Sequence, residues 1–442
     1  MRVYPSALTI RIARRLGAIA LERANTVLAV AGAGLVIACW KLARVPNLAL
    51  APRTFLVLFT LAWLAYAGGA LVTARVRSPN TVALILAVGV LSRASLLPAL
   101  PSLSTDAYRY VWDARVSNAG IDPYAYAPNA PELARLRDAD IYPRLNHLTW
   151  QTVYPPAAEA FFRAVYWIAP DSVLAMKLAL GAAELLALVI LAFLLRTLDL
   201  PLGRLTIYAW NPLLLVEIWG SGHLDALVLA AVTAAALASA RGRDGVAAGV
   251  LGVGTLVKLY PAVLLLLLRG RRRMFVYALF GSVLAAGTLL GGGLSGWPIV
   301  PIWRYVSDEY FNPGLVRTFV NESLLALTAT AVWAIVTASR GRGGSFAERA
   351  VPMAAGVIVL GMNVFPWYAV WLVPFLAVKP SIPLIAFTGT VGFAYSFFLS
   401  EPWGIPTWAR LVEVAPLAIA AAAGLRGAFG WLPRVRARAG VG

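Results

Sequence analysis

RGRDGVAAGVLGVGTLVKLYPAVLLLLLRGRRR, residues 241–273, decides how the chain is folded. Its apolar centre, 246–268, is long enough to cross a bilayer core, for which a helix needs about 20 residues. Yet arginines stand at both ends, Arg241 and Arg243 before it and the run RGRRR (269–273) after it. Basic residues collect on the cytoplasmic face of membrane proteins, so a straight crossing would put one cluster on the wrong side. Pro261 falls inside the run, where a helix must kink or stop. A hairpin of two short helices brings both clusters to one face. The segment 351–378 repeats the pattern, with Arg349 and Lys379 at its flanks and Pro366 inside, and predicts a second hairpin.

Outward from these hairpins, apolar runs recur near 26–42, 54–73, 82–100, 172–195, 205–221, 223–240, 275–294, 321–338, 382–400 and 406–425. Together they predict an all-α polytopic membrane protein with roughly 10–13 transmembrane helices. Composition agrees. Hydrophobic residues make up 60% of the 442 and charged residues 13%, about half the charge density of a soluble domain. A cytosolic globular enzyme, a disordered chain and a disulfide-stapled module are excluded, and the single Cys39 can close no intramolecular bridge.

The net charge of +18 reports topology. The N-terminus, the loops near 75, 200, 242, 271, 345 and 379, and the tail after 425 hold 23 Lys+Arg and 4 Asp+Glu, against 15 and 16 everywhere else. Such asymmetry places those segments in the cytoplasm and calls for no nucleic-acid partner. Residues 1–25 read as a cytoplasmic amphipathic N-terminus without a cleavable signal peptide. Residues 26–425 read as one transmembrane domain and 426–442 as a basic cytoplasmic tail. Non-helical backbone at membrane depth needs protein or a water-filled cavity around it, so the two hairpin tips point to an outward-facing cavity.

The longest polar segment, 101–153, is then expected to be extracytoplasmic, and with the interfacial stretch PPAAEAFFRAVYWIAP (155–170) it makes an outer loop, 101–170, that is the candidate catalytic loop. As a helix, DAYRYVWDAR (106–115) puts Asp106, Arg109, Tyr110 and Asp113 on one face. A carboxylate at the membrane boundary beside arginines suits a general base facing an anionic head group; a solvated helix with ordinary ion pairs fits the same spacing. GHLDAL (222–227) offers His223 and Asp225, as functional groups or as a tight polar turn. VKLYP (257–261) puts Lys258 and Tyr260 at the first hairpin tip, where an intramembrane lysine needs a cavity or a partner. The second tip, NVFPWYAVW (363–371), offers Asn363, Trp367 and Tyr368, with an aromatic belt as the plainer reading of Trp367 and Trp371. FNPGLVRTFVNES (311–323) adds Arg317, Asn321 and Glu322. Glu217 reads equally as a cavity residue or a satisfied core carboxylate.

Neither HExxH, CxxC nor any spacing typical of metal ligands occurs, and GGGL (291–294) lacks the GK[ST] of a phosphate loop. The expectation is that no metal and no covalently bound cofactor take part. Chemistry falls to carboxylates, arginines, a lysine and aromatics.

DAYRYVWDARVSNAGIDPYAYAP (106–128), TVYPP (152–156), the HLD turn, KLYP and a late PWYxxW resemble, as an ordered set, bacterial GT-C membrane glycosyltransferases. The likeness is to the polyprenol-phosphate-dependent mannosyltransferase-like group, family 87 included, and more distantly to GPI mannosyltransferase I. The resemblance implies an inverting transferase moving a hexose, mannose in that group, from a polyprenyl-phosphate donor to a lipid or glycan acceptor on the extracytoplasmic face. It places the catalytic acid of the first outer loop at Asp106. The paired acidic motif common in that family is loose here, because Thr105 precedes Asp106 and the next acid is Asp113. Lys258, Arg109 and Arg317 become candidates for the donor phosphate. Asp113, Arg115, Tyr124, Tyr154, His223, Asp225, Tyr260 and Tyr368 become candidates for sugar or lipid contacts. The alternative is a lipid-linked-sugar flippase or other transporter, which also uses broken helices at midplane. Against it, the halves show no internal repeat.

Overall fold

The computed structural model describes residues 7–268, 273–291, 298–340 and 343–429, and side chains within 24–422. Residues 1–6 of the expected N-terminal segment, most of RGRRR, Gly292–Leu294 of the glycine run and 430–442 of the tail lie outside the described residues. Everything regular in the described residues is helical.

Three long helices open the fold: α1 (Ala7–Ala43), α2 (Pro52–Thr73) and α3 (Pro79–Leu96). The outer-loop region follows with α4 (Asp106–Asn118) and α5 (Pro156–Ile168), and α6 (Val173–Thr197) returns through the bundle. Then come α7 (Leu205–Ala209), α8 (Pro212–Leu214) and α9 (Asp225–Ala240). The first hairpin is α10 (Asp244–Thr255) and α11 (Pro261–Leu264), followed by α12 (Arg273–Leu290). Two short helices, α13 (Ile299–Asp308) and α14 (Leu315–Phe319), precede α15 (Ser323–Arg340). The second hairpin is α16 (Phe346–Leu360) with α17 (Pro366–Ala369) and α18 (Val373–Val378); α19 (Ile382–Thr390) and α20 (Thr407–Phe429) close the chain. Among the described residues, seven helices are long and apolar enough to span a membrane, α19 being counted with its continuation to Leu399.

Prolines set many of these boundaries. Pro52, Pro79, Pro156, Pro212, Pro261 and Pro366 all stand at helix starts, where a missing N–H costs nothing and the fixed φ already suits the helix. The two hairpin prolines therefore begin the second helix of each pair, and the breaks fall just before them, at 256–260 and 361–365.

Two boundaries and the setting of one helix differ from expectation. The N-terminal segment is continuous with the first span, because α1 runs unbroken for 37 residues. The expected span 205–221 is broken: Asn211 turns its side chain to accept from the amide of Leu214 (3.2 Å), and residues 215–220 form a wide π-type turn. A wide turn of this kind often marks a functional site. Helix α4 is not a solvated helix either, since every residue from Ala107 to Val116 is buried.

The core is apolar with one polar cross-link. Arg93 of α3 meets Glu184 of α6 through two bonds of 2.6 and 2.8 Å, and both side chains are almost wholly buried. Arg93 also donates to the carbonyls of Gly89 and Ala209. Away from water, such a bidentate pair persists only when its remaining hydrogen-bonding groups are satisfied. Elsewhere the loops near 75, 200 and 379 meet at one end of the bundle: Gly203 N–H donates to Val76 O, Arg77 pairs with Asp199, and Arg204 donates to Val378 O.

Candidate active site

A cavity of about 660 Å³ opens at the opposite end, where both hairpin breaks, the start of α4, the 146–155 loop and α13 converge. Asp106, Arg109, Tyr154, Lys258, Tyr260 and Tyr368 all line it. Six of the twelve site residues expected from sequence are thus brought together from four separate segments.

Asp106 opens α4, where the helix dipole favours a negative charge. Its Oδ1 accepts from Asn146 Nδ2 at 2.7 Å, and a fifth of its side chain is open to the cavity. Burial pushes its carboxyl above the usual range; the Asn146 hydrogen bond and nearby Lys258 pull the other way.

Lys258 sits at the first hairpin tip, 2.9 Å from Asp225 Oδ1, with its ammonium 4.5 Å above the Tyr368 ring and 5.4 Å from Trp371. Trp371 donates to the same Asp225 oxygen at 2.6 Å and stacks on Tyr260 at 4.2 Å. The second tip therefore supplies an aromatic platform that positions the cation, beyond the belt-like role that its composition suggested. The positive charge is desolvated on one side, and such cation–aromatic contacts strengthen as water is excluded.

Arg109 spends its Nε on Asp113 (2.9 and 3.0 Å) and one Nη on Trp150 O, while still reaching the cavity wall. Asp113 is buried behind it. Nearby, Thr152 donates to Glu159 at 2.7 Å, and burial together with the Asp113 charge holds the Glu159 carboxyl well above its usual range.

The other expected residues stand outside the lining. Arg115 ties the outer loop together through Asp138 (2.5 Å), Asp171 (2.7 Å) and Leu136 O. Partial burial alone would raise Asp138, but Arg115 and the Tyr142 and Ile141 amides bring it down to about 2. Tyr124 donates to Tyr154 O. The terminal nitrogens of Arg317 go to the carbonyls of Glu309 and Ser307, both 3.0 Å away, so its charge holds the 306–317 turn. Asp225 lies under Lys258. His223 is fully buried behind Asp106 and stacks on Trp367 at 4.2 Å. Glu217, ambiguous in sequence, sits 3.3 Å from His223 Nε2 and accepts from Tyr395 OH. Gly222 makes this turn possible: its φ is +76°, and an added Cβ would lie 2.9 Å from Lys177 and 3.3 Å from Ala107.

Sequence reasoning missed Asn146, His147, Trp150, Tyr305 and Glu309, all of which line the cavity. His147 stacks on Trp150 at 4.3 Å and faces Glu309 at 3.4 Å; burial lowers its pKa while Glu309 raises it. The signal for α13 was present. Ile302, Tyr305, Val306 and Glu309 follow i, i+3, i+4, i+7 spacing and all face the cavity. Among the described residues, no group of three or more His, Cys, Asp or Glu could hold a metal ion.

The chain matches no curated protein and no solved structure. A family profile described as alpha-(1->6)-mannopyranosyltransferase, N-terminal domain, matches residues 6–270. That is more than half of the chain, and it takes in Asp106, Arg109, His223, Asp225, Lys258 and Tyr260. With its membrane-spanning helices, the chain belongs to the alpha-(1->6)-mannopyranosyltransferase (MptA_B) family of membrane glycosyltransferases.

Proposed function

We propose that the protein transfers mannose from a polyprenyl-phosphate donor to a hydroxyl of a lipid or glycan acceptor, on the extracytoplasmic face and with inversion. The observation that carries this reading is a carboxylate and an aromatic-backed lysine facing one cavity at the end of the bundle away from the basic loops. Asp106 would take the acceptor proton as its oxygen attacks the anomeric carbon. Lys258, with Arg109 nearby, would neutralise the departing phosphate. A fixed cation beside a phosphate leaving group stabilises the charge developing in the transition state. Leu259 and Leu327 both line the cavity and are exposed. That suits a donor whose lipid tail stays in the bilayer. Asp113, Arg115, Tyr124 and Arg317 would act by holding the loops that carry these groups.

The deciding experiment reconstitutes the protein in liposomes with radiolabelled polyprenyl-phosphate mannose and octyl α-mannoside. A labelled disaccharide is expected, and GDP-mannose should not replace the lipid donor. Transfer from GDP-mannose alone would overturn the reading. Movement of the lipid-linked mannose between leaflets with no new glycosidic bond would identify a flippase instead.

A further inference from the structure

We infer that His223 and Glu217 are positioning residues behind the base, forming a proton relay that receives and returns the acceptor proton. The inference rests on Asp106 as the base. Its starting point is an unusual burial. The His223 ring is closed off from solvent and lies between two carboxylates, Nδ1 3.7 Å from Asp106 Oδ2 and Nε2 3.3 Å from Glu217 Oε2. Neither nitrogen has a well-formed hydrogen bond. A buried imidazole without partners is costly, and this one is held rigidly. Its amide donates to Glu217 O (3.0 Å), its ring stacks on Trp367, and the Gly222 turn fixes its backbone. Catalytic hydrogen bonds are often long before substrate binds and tighten afterwards.

The far end of the chain is also defined. Glu217 accepts from Tyr395 OH at 2.9 Å through Oε1 and 3.1 Å through Oε2, so its carboxylate is held in place while Oε2 faces His223. The ionisable groups facing this chain are Asp106 from α4, Glu217 from the π-type turn, Lys258 with its buried partner Asp225, and the Tyr395 hydroxyl.

The proton balance closes without a further reactant. The acceptor oxygen bonds to the anomeric carbon as the carbon–phosphate-oxygen bond breaks, and that electron pair leaves on the phosphate. The acceptor proton passes to Asp106 and then to His223 Nδ1. The imidazolium so formed donates from Nε2 to Glu217 and stands between two negative charges. The donor is a phosphodiester monoanion, but the product is a monoester whose second pKa is about 6. The proton therefore returns through Asp106 to the product phosphate, and the relay is reset.

The test uses the full chain in liposomes with polyprenyl-phosphate mannose and octyl α-mannoside. Glu217→Gln keeps the shape of the side chain and removes its charge. It is expected to lower kcat by about 10–100-fold with both KM values held within about twofold, because the loss concerns the transition state and not binding. The acid limb of the kcat profile should move as well, which a structural loss would not cause. His223→Gln should match it, with no further loss in the double variant. Wild-type kcat and an unmoved pH profile in folded Glu217→Gln, or losses that multiply in the double variant, would overturn the relay. Activity retained in Asp106→Asn would instead remove the base assignment, so the two failures are distinct.

Discussion

Lys258 and Asp225 form a two-oxygen ion pair, 2.9 and 3.0 Å, with the carboxylate buried and a fifth of the lysine side chain open to the cavity. A lysine at this depth could not stay charged without a partner. The pairing leaves part of the ammonium facing inward, and Tyr368 and Trp371 limit its freedom.

Lys258→Ala should therefore raise the KM for the polyprenyl-phosphate donor by about 10–100-fold, equivalent to about 1.4–2.7 kcal/mol of lost charge interaction. The acceptor KM should change little. Initial rates over a donor series at saturating acceptor decide the point; an unchanged donor KM would assign Lys258 to structure.

Asp106→Asn should reduce transfer by at least about 10²–10⁴-fold, the usual contribution of a placed general base. Asn has nearly the same shape and can still accept from Asn146, so the protein should migrate normally on size exclusion. A near wild-type rate would remove the base assignment.

The pH profile tests the same residue in another way. As a base, Asp106 works only when ionised, so activity rises with pH through its pKa. Burial raises that pKa from 3.8, and the acid limb of kcat/KM should accordingly fall above the ordinary aspartate value. Asn146→Ala removes a hydrogen bond that favours the ionised form, so the limb should move further toward neutral pH. A limb that stays put or moves down would contradict the role given to Asn146.

What was legible in the sequence follows from what local chemistry can fix. Pro261 and Pro366, with arginines at both flanks, announce hairpins, because proline and charge constrain the chain wherever it sits. Asp106, Lys258 and Tyr368 could be found because polar groups beside apolar spans are few. Arg115 and Arg317 could not be separated from Arg109 in this way. All three are outer-loop arginines, and only the packed loop shows that the terminal nitrogens of Arg317 go to backbone carbonyls while Arg109 reaches the cavity. The place of Glu217 was equally hidden, since a regular helix over 205–221 would point it differently from the π-type turn that puts it against His223.

That turn is held from outside by the polar cross-link in the core, which gives a last prediction. Glu184 accepts from Trp219 Nε1 at 3.0 Å as well as from Arg93, and Trp219 lies two residues beyond Glu217. Glu184→Leu leaves the Arg93 cation buried and uncompensated, and should destabilise the protein by about 3–5 kcal/mol. Replacing both partners, as Arg93→Met with Glu184→Leu, removes the unpaired charge and should restore most of the melting temperature in detergent. It does not restore the Trp219 hydrogen bond. The double variant should thus be nearly as stable as wild type yet slower in transfer, because the turn carrying Glu217 is no longer pinned. If stability and activity recover together, the cross-link acts on the bundle alone and leaves the site untouched.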